Sequence, residues 1–219
     1  LVDPEQAERH IEIIYNHLKH PDGVRLMNTA VTYRGGEKTY FQRAETAANF
    51  GREIGILYVH AHIRYIEAMA KLGSPYKAYQ GLFEVSPIEI RKTVKNARIR
   101  QANMYFSSSD AAFNTRYEAK EQFEKVRNGS IDVKGGWRLY SSGPGIYINQ
   151  FISNILGIRF KDRNLVLDPV IPDYLKGLEL TYHLGNKKLK VTFNGKTGKT
   201  KLNNKDISKE TVCITDNIY

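Results

Sequence analysis

Apolar positions recur every three to four residues as far as about residue 157 and every second residue after it, so the sequence predicts helices followed by strands. Ala7, Ile11, Ile14, Tyr15 and Leu18 form one stripe behind Asp3 as N-cap and Pro4 at the first helical position, and Pro21-Asp22-Gly23 ends that helix. Val24 to Lys38 has no period and reads as a long loop, and Phe41 to Asn49 as a short helix. From Ile56 to Leu72 the stripe Leu57, Ala61, Tyr65, Ala68-Met69 and Leu72, with Val59, Ile63 and Ile66 beside it, predicts an internal helix that stops at Gly73. Tyr76 to Phe83 reads as a short helix closed by Ser86-Pro87, and Ala102 to Ser107 as a short extended piece. Ser108 or Ser109 then caps a helix through Val126, with Phe113, Tyr117, Phe123 and Val126 inward and Asp110 in its first turn, and Asn128-Gly129 ends it.

The next stretch, Gly135-Gly136-Trp137-Arg138-Leu139-Tyr140-Ser141-Ser142-Gly143-Pro144-Gly145, leads into a run in which Ile146, Tyr147, Gln150, Phe151, Ile155 and Leu156 keep helical spacing up to Gly157. Pro144 stands in the first turn, where its missing N–H does no harm, and Gly157 is a natural stop. A helix start offers free N–H groups and the positive end of a dipole, so Ser141, Ser142 and Gly143 make a candidate site for a phosphate or other anion. A plain serine cap accounts for the same residues.

After Gly157 the strand-like segments are Leu165 to Pro172, Leu178 to Tyr182, Leu189 to Phe193, Lys199 to Leu202 and Thr211 to Ile214, with hairpin turns at Gly185-Asn186 and Asn194-Gly195. Leu189, Val191 and Phe193 face a core while Lys188, Lys190 and Thr192 face water. The fold class expected is α then β, with residues 1–157 helical and 158–219 a small β domain. Both parts look short of partners.

Composition narrows this picture only slightly. With 41% hydrophobic and 26% charged residues, the 219-residue chain is an ordinary globular sequence. Its single cysteine, Cys213, cannot form an internal disulfide. The start at Leu1, without Met or a signal-peptide pattern, points to a natural N-terminus elsewhere, and the location expected is the cytoplasm. Leu139 to Ile158 is uncharged but holds too many polar groups and helix breakers to cross a membrane. The net charge of +10 lies largely in Arg91 to Arg100 and in the lysines after Lys187, which suit a solvated sheet face better than a nucleic-acid surface, since Phe193 is the one ring among the latter. His10 and His17 are about 10 Å apart along a helix, too far to share a metal ion, and His60 and His62 point to different sides. The default for the latter pair is a hydrogen-bonded core histidine.

Phe50-Gly51-Arg52-Glu53-Ile54-Gly55, Val59-His60-Ala61-His62, Gly135 to Gly145, Leu156-Gly157-Ile158-Arg159 and Leu167 to Pro172 occur together and in order. In this they resemble the C-terminal part of the inverting phosphorylases of the cellobiose phosphorylase type, glycoside hydrolase family 94, and within it the 1,2-β-oligoglucan phosphorylase branch. The resemblance implies the last helices of an (α/α)6 toroid followed by a C-terminal β-sandwich. It implies cleavage of β-linked gluco-oligosaccharides by inorganic phosphate to α-glucose 1-phosphate, without metal or organic cofactor. It places His60, Ser141, Ser142 and Gly143 on phosphate and Arg52 and Glu53 on sugar hydroxyls, with Tyr105, Ser107 and Asp110 near a further sugar-contacting segment. Relatives carry Ser-Gly-Thr where this chain has Ser-Ser-Gly, so which hydroxyl meets phosphate stays open. The general acid, an aspartate, would lie upstream, so no catalytic residue is expected here and the piece alone would be inactive. The partners implied are the β-gluco-oligosaccharide, phosphate and the N-terminal part of the same protein, with neither nucleic acid nor membrane. A carbohydrate-binding or structural module, and an inverting hydrolase of similar toroid fold, are the alternatives.

Overall fold

The structure is a computed structural model that describes residues 3–28, 56–136, 143–162, 164–194, 200–202, 205–207 and 211–213. It consists of helices and small antiparallel sheets grouped in two compact units, Leu1–Tyr65 with Gln80–Tyr147, and Ile66–Tyr79 with Ile148–Tyr219.

In the first unit, helix α1 (Pro4–Ile13) starts as its sequence dictates: the Asp3 carboxylate accepts the Gln6 N–H at 2.8 Å and Pro4 follows at once. The chain continues as a π turn over Ile14–Leu18 and then folds back through the short strands β1 (Lys19–His20) and β2 (Gly23–Val24). Pro21-Asp22 is therefore the turn of a hairpin rather than the end of the helix, because Lys19↔Val24 and His20↔Gly23 pair across it. The segments expected as a long loop beyond Asn28 and as a helix at Phe41 to Asn49 lie outside the described residues.

Strand β3 (Leu57–Tyr58) precedes helix α2 (Val59–Lys71). The buried face of α2 is Val59, Ile63, Ile66 and Ala70 with His62, Tyr65 and Met69, whereas Ala68 and Leu72 are exposed, so the inward stripe runs through residues beside the predicted one. Gly73 closes the helix at φ +65°. Helices α3 (Pro75–Glu84) and α4 (Ile90–Thr93) follow.

The main correction concerns residues 108–126. Ser108–Ala111 is strand β4, not the start of a helix, and it pairs on one side with β3 (Leu57↔Ser109, Tyr58↔Ser108) and on the other with β5 (Val133–Gly135; Ser109↔Gly135, Asp110↔Lys134, Ala111↔Val133). Two neighbours supply every ladder partner a helix cap would have replaced. Asp110 is thus a strand residue and not a first-turn acid. The helix begins later, as α5 (Arg116–Glu121), where the Thr115 hydroxyl accepts the Glu118 N–H at 3.1 Å, and continues in α6 (Glu124–Arg127). Ala111, Phe113, Ala119 and Val126, with Phe123 and Ile131 against them, form a core, while Tyr117 is 62% exposed rather than inward. Helix α7 (Gly143–Asn149) runs into a π-helical segment over Gln150–Ile155.

In the second unit, Gly157 at φ +68° stops that helical run, and its α-carbon lies so close to the Asp168 carbonyl that no side chain fits. Strands β6 (Ile158–Lys161) and β7 (Asn164–Leu167) pair antiparallel, with β12 (Thr211–Cys213) on the other edge of β7. Strands β8 (Leu178–Leu184) and β9 (Lys187–Phe193) form a hairpin turning at Gly185-Asn186, and β10 (Thr200–Leu202) pairs β11 (Lys205–Ile207). Leu156, Ile158, Leu165 and Phe193 build the core, with Leu189 and Val191 packed on it and Lys188 and Lys190 exposed, as the alternation predicts. Among the described residues no helix is long and apolar enough to cross a membrane.

Candidate functional site

The small sheet β3-β4-β5 gives the site its frame, because opposite residues of antiparallel strands share a face. Leu57, Ser109 and Gly135 lie on one face; Tyr58 and Ser108 lie on the other, with Asp110 and Lys134 two positions further along. The first face is closed: Leu57 and Ser109 are 0% exposed. The second is partly open, with Tyr58 and Asp110 half-buried and Lys134 exposed.

A chain of buried charged and polar groups lies behind the closed face, although Arg100 Nε and Nη1 are buried without a hydrogen-bond partner. Arg25 Nη2 donates to Asp22 Oδ2 at 2.7 Å, with both side chains nearly inaccessible. Burial pushes the Asp22 carboxyl up, but Arg25 and a hydrogen bond from Ser109 outweigh it and hold it below the usual range. Ser109 Oγ in turn accepts Arg100 Nη2 at 3.0 Å, and the Arg100 guanidinium lies 3.9 Å from the centre of the Phe106 ring. Burial lowers the Arg100 pKa to about 10. Nearby, His62 is completely buried: its Nδ1 accepts the Val24 N–H at 3.0 Å and its Nε2–H donates to the Gly81 carbonyl at 2.8 Å. These partners fix one neutral tautomer, and burial lowers the His62 pKa to about 4. Glu84, raised by burial despite Lys19, accepts Lys19 Nζ at 2.6 Å and Gln80 Nε2 at 3.0 Å.

On the open face the groups are not paired off. His60 follows β3 by two residues in the first turn of α2, and its ring stacks on Tyr58 with centroids 5.9 Å apart and planes 13° apart. Its Nδ1 is buried without a hydrogen-bond partner. The Tyr105 hydroxyl is likewise buried without a partner, and burial first and Tyr58 second push its pKa up to about 12. The Tyr105 ring lies against Gly143, where an added Cβ would fall 2.5 Å from its ring carbons. Only glycine lets the mouth of α7 approach this ring. Burial raises Asp110 to about 6, against the opposing fields of Arg25 and Lys134.

Of the residues expected in the site, His60 is therefore stacked on Tyr58, and Tyr105 is packed against Gly143. Ser107 is buried, and its carbonyl accepts the Val59 N–H at 3.0 Å, which ties β4 to the start of α2. Asp110 lies further along the open face. Arg52, Glu53, Ser141 and Ser142 lie outside the described residues. His62, as expected of a histidine on an internal helix, is a hydrogen-bonded core residue. Tyr58 was not singled out from the sequence; an aromatic two positions before a histidine at a strand-to-helix junction was the available signal. Among the described residues no group of three or more His, Cys, Asp or Glu could hold a metal ion.

Orphan polar atoms beside a glycine-lined helix mouth suit a small polar ligand such as an anion or a sugar hydroxyl. No protein-family model matches the chain. The class of protein it is similar to is that of the β-oligoglucan phosphorylases. The relative in question, 1,2-β-oligoglucan phosphorylase of Listeria innocua, is 58% identical over 193 residues, which cover 88% of this chain and 18% of the relative. The chain thus spans under a fifth of the length of the protein it matches.

Proposed function

We propose that this chain is the C-terminal part of an inverting β-glucan phosphorylase that cleaves β-1,2-linked gluco-oligosaccharides with inorganic phosphate and releases α-glucose 1-phosphate. The observation that carries this reading is the 58% identity over 88% of the chain. The unpartnered His60 Nδ1 and Tyr105 hydroxyl, the second beside Gly143, support it.

In such a reaction phosphate takes the place of water in an inverting glycosidase. Water needs a general base, but phosphate is already an anion and needs only to be held in line; one general acid on the leaving oxygen then suffices. That acid belongs to the part of the protein before this chain, so the piece by itself is inactive. The residues here hold and orient. His60 and the N–H groups and hydroxyls of Ser141, Ser142 and Gly143 take the phosphate, while Arg52, Glu53, Tyr105, Ser107 and Asp110 take sugar hydroxyls. The helices would close an (α/α)6 toroid and the β strands that follow in sequence would form a C-terminal sandwich, in a cytoplasmic enzyme that uses no cofactor.

The test is His60→Ala in the full-length protein. Loss of a charge-assisted hydrogen bond of about 1.5–3 kcal/mol should lower kcat/KM for phosphate by roughly ten- to a hundredfold. The melting temperature should barely move, since His60 fills no core. Unchanged phosphate dependence would remove His60 from the site, and release of free glucose without phosphate would replace the reaction class by hydrolysis.

A further inference from the structure

His60 and His62 lie two residues apart on α2, yet they are held by different means. His62 is fixed by hydrogen bonds at both ring nitrogens. At His60 the buried Nδ1 has no partner, so the usual device for orienting a functional imidazole, a hydrogen bond at the nitrogen away from the ligand, is missing. What the ring does have is Tyr58, nearly parallel to it at 5.9 Å. Tyr58 is itself rigidly placed. It sits in a strand whose register pairs it with Ser108, and the following residue, Val59, is 0% exposed and bonded to Ser107.

We propose that Tyr58 is a positioning residue for phosphate: its ring sets the plane of the His60 imidazole. This rests on the phosphorylase reading and adds to it a residue that touches neither phosphate nor sugar. A flat ring on a strand can act this way because offset stacking restrains tilt without occupying either imidazole nitrogen. The chemistry requires the ring and not the phenol hydroxyl.

Tyr58→Phe and Tyr58→Leu in the full-length protein separate these roles, with Tyr58→Met as a second ring-less variant if the leucine form folds poorly. KM is measured separately for phosphate and for the oligosaccharide. Tyr58→Phe should stay within twofold of the parent on both. Tyr58→Leu should raise KM for phosphate about tenfold and leave KM for the oligosaccharide within twofold. Combined with His60→Ala it should add nothing further, because the two act as one unit. An unchanged phosphate KM in the ring-less forms, or effects that multiply in the double variant, would overturn the proposal.

A titration with inorganic phosphate, read on the His60 imidazole resonances, keeps this distinct from the reaction class. Phosphate should shift those resonances in the parent and Tyr58→Phe at similar concentrations, and about tenfold more should be needed in Tyr58→Leu. If the resonances respond but turnover needs no phosphate, the phosphorylase reading fails and the role of Tyr58 stands. If they do not respond at all, the role of Tyr58 fails.

Discussion

The two faces of the β3-β4-β5 sheet are built from the same few residues and do opposite things. Behind the closed face, Arg25 and Ser109 donate to Asp22, Arg100 donates to Ser109, and His62 is bonded to backbone groups at both ring nitrogens, while Arg100 Nε and Nη1 are left bare. On the open face, the imidazole of His60 and the hydroxyl of Tyr105 are sheltered but left without partners. A folded chain rarely tolerates bare buried polar atoms, because each forfeits a hydrogen bond it had in water. Bare atoms occur behind the closed face at Arg100 as well, so what sets His60 and Tyr105 apart is their place beside the partly open face. The same contrast holds within α2, where turning one residue type by two positions converts a core strut into a candidate ligand.

The strongest way to break this comparison is to remove one carboxylate charge from each face. Asp22→Asn leaves the inaccessible Arg25 guanidinium without its ion partner, a change that costs about 3–5 kcal/mol in comparable buried pairs. Asp110→Asn, on the open face, should cost less than about 1 kcal/mol, since burial already favours the neutral form of that carboxyl. Urea unfolding of the two variants at neutral pH gives both numbers. Equal losses would mean that the faces do not differ in kind.

Acid sharpens the same point with a slightly smaller effect. The His62 pKa is about 4 in the folded chain against 6.5 as the ordinary value. Between those pH values the unfolded chain binds a proton that the folded chain refuses, so stability falls as pH drops from about 6.5 to 4. Two and a half pK units correspond to about 3 kcal/mol for full titration of His62. His20, also lowered to about 4 by burial, adds in the same direction. Asp110 and Glu84, whose pKa values are raised, act in the opposite sense, because their folded forms take up protons first. The clean measurement is thus the difference between the parent and His62→Gln, followed by denaturant unfolding from pH 7 to 4. That difference should shrink by about 3 kcal/mol, and a flat difference would show that His62 tolerates charge.

Much of this arrangement was legible in the sequence, and what was not has a common cause. Asp3-Pro4, Gly73, Gly157 and the β8–β9 alternation are local signals with local consequences, and they were read correctly. Ser108-Ser109-Asp110 is locally a good helix start, and it becomes a strand only because β3 and β5, far away in the chain, supply partners on both edges. The inward face of α2 was displaced for the same reason: an all-round apolar helix leaves the choice of face to its neighbours. His60 and Gly143 were singled out through motifs, whereas Tyr58 carries no motif and is visible only as a stacked ring. The pairing of Asp22 with Ser109 could not be read at all, since polar residues that saturate one another in a core have no period.

The smallest expected effects come from the two glycines around Pro144, and they test the open face at its narrowest point. At Gly143 an added methyl would collide with the Tyr105 ring, so Gly143→Ala has to move either the ring or the mouth of α7. Such overpacking costs about 1–3 kcal/mol, and displacement of the mouth should weaken phosphate use in the full-length protein as well. At Gly145 nothing lies within 4 Å of the same methyl, and the residue sits in a regular helical turn. Gly145→Ala should therefore stabilise the helix by about 0.5–1 kcal/mol through the unfolded chain alone, with phosphate KM unchanged. Thermal melts and phosphate saturation curves of the pair decide the matter. If both alanines behave alike, the approach of Tyr105 to the helix mouth is not what makes that glycine necessary.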